Sequence, residues 1–232
     1  MSNSSLISYT KLSPNNSGER THKIDTITIH CMAGNLSVEV CGSLFANPNK
    51  KASSNYGIGS DGRIALYCNE SMRSWCSSNA VNDQRSITIE VANCTAGPDW
   101  KISNAALFAL IDLCEDICKR NDIKRLVWST DKNSRVNHLN GCNMTIHRDY
   151  AAKACPGNYL YSIHNYIAEE VNKRLTPEKQ LLVSANDITW ELNHTYFPIT
   201  DTKRFVDALE QARVENSSLY WGFYKLVNGI KK

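Results

Sequence analysis

Apolar and polar residues alternate along Ile24-Asp-Thr-Ile-Thr-Ile-His30, the period of a half-buried strand. Ile27 and Ile29 point one way. His30 closes the strand on the opposite face. The same period runs through Ser86-Ile-Thr-Ile-Glu-Val-Ala-Asn93, with Ile87, Ile89 and Val91 on one face and Thr88 and Glu90 on the other. A glutamate amid such an apolar run reads either as the exposed face of an edge strand or as a carboxylate held over a site. Between Ser53 and Tyr67, Asp61-Gly62 separates two short alternating runs, which predicts a hairpin with Tyr56 on its first strand. Leu126-Val-Trp128 is a further short strand candidate. The period becomes helical in three places. Ser37 to Asn47 has a serine cap, with Val40, Leu44 and Phe45 on one side. Ser103 caps a helix through Lys119 that buries Leu107, Leu110, Ile111, Cys114, Ile117 and Cys118. Tyr159 to Leu175 sets Tyr159, Ile163, Tyr166, Ile167 and Val171 at helical spacing.

Strands and helices in alternation predict a mixed α/β domain around a central sheet. Thr176-Pro177 closes it, so the first domain is expected to span residues 1–177. Residues 178–184 read as a linker. Residues 185–232 read as a small helical module, with one apolar stripe of Phe205, Val206, Leu209 and Ala212 and a second of Leu219, Phe223, Leu226 and Ile230. Such a module is suited to wall attachment, to self-association into a homo-oligomer, or to capping the larger domain. The stripes say only that it folds. Residues 1–20 read as an irregular arm, and residues 129–143 as a polar loop long enough to suggest function.

Composition narrows the function classes. The chain has 232 residues, enough for one sizeable domain and a small one. No apolar run approaches the ~20 residues that span a bilayer, so membrane insertion is not expected. A net charge of +3 is too small to argue for nucleic acid. The stretch from Met1 to Thr10 lacks a basic start and an apolar run, so it does not read as a secretory signal. Nine cysteines are then expected as reduced thiols rather than a disulfide framework. Cys114 and Cys118, one helical turn apart, read as small core residues.

The chemistry concentrates in Met144-Thr-Ile-His-Arg-Asp-Tyr-Ala-Ala-Lys-Ala-Cys-Pro156. His147 and Cys155 are soft-metal ligands, and Lys153 precedes the cysteine by two residues. Catalytic zinc usually takes three protein ligands and leaves a fourth position open. Among the remaining histidines, His30 at a strand end is the best third ligand. His22, His138, His164 and His194 lie in polar, loop or helix-surface contexts and read as surface residues. Trp75 sits in a polar stretch, compatible with stacking on a sugar or lining a peptide groove, and equally with anchoring a loop.

His30 at a strand end, Asn55-Tyr-Gly-Ile58 before Asp61-Gly62, Ile87-Thr-Ile-Glu90, and His147-Arg-Asp with Lys153-Ala-Cys-Pro-Gly157 occur in this order. Over roughly residues 22–175 the chain thereby resembles the zinc-dependent N-acetylmuramoyl-L-alanine amidases, the family of phage amidase lysozymes and peptidoglycan-recognition proteins. The likeness is strongest to prophage endolysins of Gram-positive hosts. It implies a central mixed sheet flanked by helices, Zn2+ on His30, His147 and Cys155, and catalytic roles for Glu90, Lys153 and Tyr56. Trp75 is carried as a substrate-binding candidate. The implied substrate and partner is bacterial peptidoglycan, cut between N-acetylmuramic acid and L-alanine. A binding module that grips muropeptide without cutting it is the rival reading. Phage-style use implies accumulation in the cytoplasm and holin-dependent release to the wall.

Overall fold

A computed structural model describes residues 2–175, 184–215 and 217–228. The chain divides into two compact units, residues 1–176 and 177–232. In chain order the first holds strands β1 (Tyr9–Thr10), β2 (Asn16–Glu19) and β3 (Thr26–Cys31), helix α1 (Val38–Ala46), β4 (Tyr56–Ile58), β5 (Ile64–Leu66) and β6 (Met72–Ser74). Helix α2 (Ala80–Arg85), β7 (Ser86–Val91), α3 (Asn104–Arg120), α4 (Lys132–Val136), β8 (Met144–Thr145) and α5 (Asn158–Leu175) complete it. Six strands form a mixed sheet in the order β1-β5-β4-β7-β3-β8, flanked by helices. Only the β4–β5 hairpin is antiparallel. Strands β2 and β6 pair as a separate ribbon.

Register decides what each face carries. Ile27 lies beside Ile87, Ile29 beside Ile89, and His30 beside Glu90. Strand β4 sets Tyr56 beside Ile89 and Gly57 beside Glu90. The isoleucines therefore share one face with Tyr56 and Ile58, packed under α3 and α5 through Leu110, Ile111, Ile117 and Ile167. Each such side chain removed from water stabilises the fold by roughly 1.5–3 kcal/mol. Ser103 caps α3 by accepting from the Ala106 N–H. Cys114 and Cys118 are fully buried thiols in this core. On the opposite face, α1 buries Val38, Cys41 and Phe45 against Tyr67. Gly57 is needed there, because a Cβ would fall 2.3 Å from the Tyr67 ring.

Several expectations change. Tyr56 is in the core, fully buried, with its hydroxyl donating to Glu70 Oε1 at 2.5 Å. The alternation that exposes Glu90 to one face commits Tyr56 to the other, so Tyr56 is not a site residue. His164 is fully buried, its ring tilted against Trp128 with centroids 4.3 Å apart, not on the surface. Leu126-Val-Trp128 forms no strand, because side chains take over its backbone groups: Leu126 N–H donates to Asn172 and Val127 N–H to Asn143. The 129–143 loop contains α4, capped by Asp131. The N-terminal arm contributes β1 and β2. Helix α1 leaves Val40 and Leu44 exposed, and α5 leaves Tyr166 exposed.

In the second unit, α6 (Ala185–Glu191) runs into a π-helical turn, Leu192–Tyr196, followed by α7 (Thr202–Val214) and α8 (Ser218–Asn228). Ile188, Leu192, Leu209, Ala212, Tyr220 and Val227 make its core. The α7 stripe runs as expected. Helix α8 turns Tyr220 and Val227 inward and leaves Leu219 and Leu226 exposed. Thr176, Pro177, residues 178–183 and Ile230 lie outside the described residues. Among the described residues no helix is long and apolar enough to cross a membrane.

Candidate metal centre

Strands β3 and β7 end side by side, and His30 and Glu90 stand there as register partners on the polar face. His147 arrives from β8, at the head of a one-turn 3-10 helix, His147–Asp149. That turn is clamped from beneath. Asp149 accepts from the Ile146 N–H at 3.2 Å and from Arg135 at 2.8 and 2.6 Å, an ion pair buried on both sides. Arg135 in turn lies over the Trp128 ring at 4.8 Å. Cys155 completes the set, accepting from the Cys31 N–H at 3.4 Å.

The ligand atoms of His30, His147 and Cys155 all lie within 4.8 Å of one another. Bonds of about 2.0–2.3 Å in a tetrahedral zinc site set ligand atoms roughly 3.3–3.7 Å apart. The His30 Nδ1 to Cys155 Sγ distance is 3.4 Å. The two imidazole rings are 5.1 Å apart. His30 is fully buried and its Nε2 has no partner among the described residues. Buried polar atoms without partners are rare. The donor chemistry and the spacing fit a zinc ion.

The electrostatics agree. Burial, and then the neighbouring His147, hold His30 well below the usual imidazole range. Burial, and then Lys153, lower His147. Both are thereby kept neutral, the form that ligates. The interaction with the Cys31 side-chain thiol, and then burial, raise the Cys155 thiol, so metal uptake must displace a proton there. Glu90 is partly buried. Burial, and then the Cys31 charge, push it up to about 8. Its Oε1 accepts only from the Cys76 thiol, at 3.9 Å, and its Oε2 has no partner among the described residues.

A cavity of about 200 Å³ opens beside Glu90 and His147, walled also by Trp75, Cys76, Leu44 and Phe45. A second hollow of about 410 Å³ also borders His147 and Trp75 and takes in Lys51, Arg73, Ser78 and Lys153. Trp75 is both anchored and available: its indole N–H donates to Ser17 Oγ at 2.6 Å while the ring walls both hollows. Lys153 is exposed. Cys76, Ser78 and the Arg135–Asp149 clamp were not visible in the local pattern. Ser78 Oγ lies 3.1 Å from His147 Nε2. Cys76 and Ser78 sit in a polar stretch without periodicity, and only the hydroxyl and thiol types themselves hinted at chemistry.

Three metal-capable donors stand beside a carboxylate at the strand ends of a helix-flanked mixed sheet, in an α/β protein. Comparison then sets the family. The profile of N-acetylmuramoyl-L-alanine amidase matches residues 20–158, more than half of the chain, and the chain belongs to that family. The fold is shared with the Staphylococcus aureus hydrolase AmiA in complex with its ligand, at TM-score 0.55 and 16% identity, covering 75% of this chain and 85% of that one. It is shared with the PlyG catalytic domain, at TM-score 0.53 and 16% identity, covering 74% and 96%. A selenomethionine derivative of AmpD matches at TM-score 0.52 and 18% identity, covering 71% and 96%. No curated protein matches the chain.

Proposed function

We propose that this peptidoglycan amidase is zinc-dependent and hydrolyses the amide between the lactyl group of N-acetylmuramic acid and the L-alanine of the stem peptide. The carrying observation is the convergence of His30, His147 and Cys155 beside Glu90. These three residues would hold the zinc, which when bound polarises the scissile carbonyl and activates water. Water adds across the C–N bond: oxygen joins the lactyl carbon and a proton joins the alanine nitrogen. Glu90 takes the proton from the attacking water and passes it to that nitrogen. Its orphaned oxygen is the acceptor this requires. Lys153, on the wall of the second hollow with His147, opposes the negative charge that develops on the carbonyl oxygen. Trp75 offers a flat apolar wall for the sugar or lactyl group. Tyr56 has no part in this reading.

The reading extends to context. The chain is assigned to a prophage of a Gram-positive host, held in the cytoplasm until holin-dependent release. The second unit, with Trp190 and Tyr196 exposed, is assigned to holding the enzyme on the wall. Mass spectrometry of purified muropeptides tests the central claim. Incubation is expected to release the intact stem peptide with a free alanine amine, and a chelator to abolish that product. Muropeptide bound but left uncut, or cut in the glycan or within the peptide, would overturn it.

A further inference from the structure

A second donor set lies against the first. The ligand atoms of His30, Cys76 and Glu90 also fall within 4.8 Å of one another. Imidazole, thiol and carboxylate together suit zinc, cobalt or cadmium. This cluster is not a satisfied polar network. The thiol that faces Glu90 is a weak donor, and at 3.9 Å a distant one. Glu90 Oε2 and His30 Nε2 are left without partners among the described residues. Cys76, meanwhile, is held in place. Its own N–H and that of Ser77 donate to the Asp83 carboxylate at 3.2 and 3.1 Å, and the Trp75 N–H donates to Ser53 Oγ at 3.1 Å. The loop thus presents a buried thiol to a carboxylate that lacks partners.

We infer that Cys76, Glu90 and His30 form a second soft-metal position, overlapping the first at His30, which zinc in excess occupies. Binding displaces the Cys76 thiol proton, any proton on Glu90 and the ring N–H proton of a His30 shared by both ions to solvent; nothing is oxidised or reduced. One imidazole serves two ions only by giving up its last proton, so the second ion rests chiefly on Cys76 and Glu90 and binds more weakly. Occupancy takes the Glu90 oxygens out of proton transfer. That consequence rests on the amidase reading; the site itself does not.

Equilibrium dialysis of the metal-free, full-length protein against zinc, with parallel cobalt absorption spectra, tests both parts. The parent is expected to bind two equivalents, the second at least ~10-fold more weakly, each adding thiolate-to-cobalt absorption. Turnover of muropeptide should fall ~10²-fold or more as the second equivalent binds, the scale of a lost general base. Cys76→Ala and Glu90→Gln should each bind a single equivalent. Cys76→Ala should show the same turnover at one equivalent and in excess zinc. Should Cys76→Ala fail to fold by circular dichroism, the Glu90→Gln count carries the test. A parent that saturates at one equivalent, or a second equivalent that persists in Glu90→Gln or in a folded Cys76→Ala, overturns the site. Metal counting needs no substrate, so a failed amidase assay leaves it standing. Two equivalents with no loss of turnover would overturn the inhibitory role.

Discussion

The two faces of the central sheet are built from the same strands and obey different rules. One face is a row of isoleucines, Ile27, Ile29, Ile87 and Ile89, dry and filled by α3 and α5. The other carries Thr28, His30, Thr88 and Glu90. Over most of its length this second face is a closed hydrogen-bond account. Thr28 Oγ1 meets Thr145 Oγ1 at 2.7 Å, Asn82 donates to Thr28 at 3.0 Å, and Tyr150 donates to Asn82 at 3.0 Å. Among the described residues, His30 Nε2 and Glu90 Oε2 are left over where these strands end. Packing explains the first face completely. On the second, the unsatisfied remainder is where the chemistry sits.

The largest way to break the contrast is His30→Ala. It removes the one residue common to both donor sets, so metal affinity should drop by more than the ~10–100-fold that loss of an outer-shell partner costs. Activity should vanish with it. Dialysis and muropeptide turnover check both, and a metal-replete, active His30→Ala protein would sink the site. Glu90→Gln comes next. The amide keeps the shape but cannot accept the proton, so turnover should fall ~10²–10⁴-fold, in kcat more than in KM, with the first zinc retained. Turnover within a few-fold of the parent would reject the role of Glu90.

Stability measurements sharpen the contrast further. Arg135→Met leaves Asp149 charged, buried and unpaired, at a cost of about 3–5 kcal/mol, and it loosens the turn that carries His147. Chemical denaturation should show the loss, and zinc affinity should fall with it. Ile89→Ala on the dry face should cost a similar ~2–5 kcal/mol by leaving a cavity, yet leave zinc binding intact in the folded protein. If both variants lost zinc equally, the faces would not be separable.

The smallest expected effect is a pH slope. Burial, partly offset by the Leu160 carbonyl, lowers His164 from 6.5 to about 4. The unfolded chain then binds a proton that the folded chain refuses. Stability should therefore fall as pH drops from about 6.5 to about 4, by on the order of 3 kcal/mol. Denaturation of chelator-treated protein should show this slope in the parent and a flatter one in His164→Phe.

How much of this was legible depends on how local the signal is. Strands β3 and β7, the hairpin, α3 and α5 were readable because each carries its own apolar period, although β3, expected to be half-buried, is buried on both faces under helices and loops. His30, His147 and Cys155 stood out as residue types at strand ends and turns. Tyr56 was misplaced although the correction was available. Tyr56-Gly57-Ile58 alternates too, and a register that sets Gly57 beside Glu90 must turn Tyr56 to the core. His164 sits on a helix whose polar-looking position is covered by Trp128, a long-range contact that no local pattern encodes. Cys76 reaches Glu90 only because Asp83 pins its loop, again a tertiary fact.

The donors come from four distant places in the chain, and His30 and Cys155 are 125 residues apart. Strand β3, which carries His30, lies between β7 and β8, each parallel to it. Parallel pairings of this kind close long loops, which is the slow part of reaching a fold. The pocket therefore depends on long-range pairings of the first unit rather than on any local segment. A metal that binds only the assembled pocket adds about 2.7 kcal/mol of stability at a hundred times its dissociation constant. If the pocket binds zinc as proposed, the ion ties together residues 125 apart in the chain, so its loss and the opening of the first unit should be seen together in one denaturation experiment.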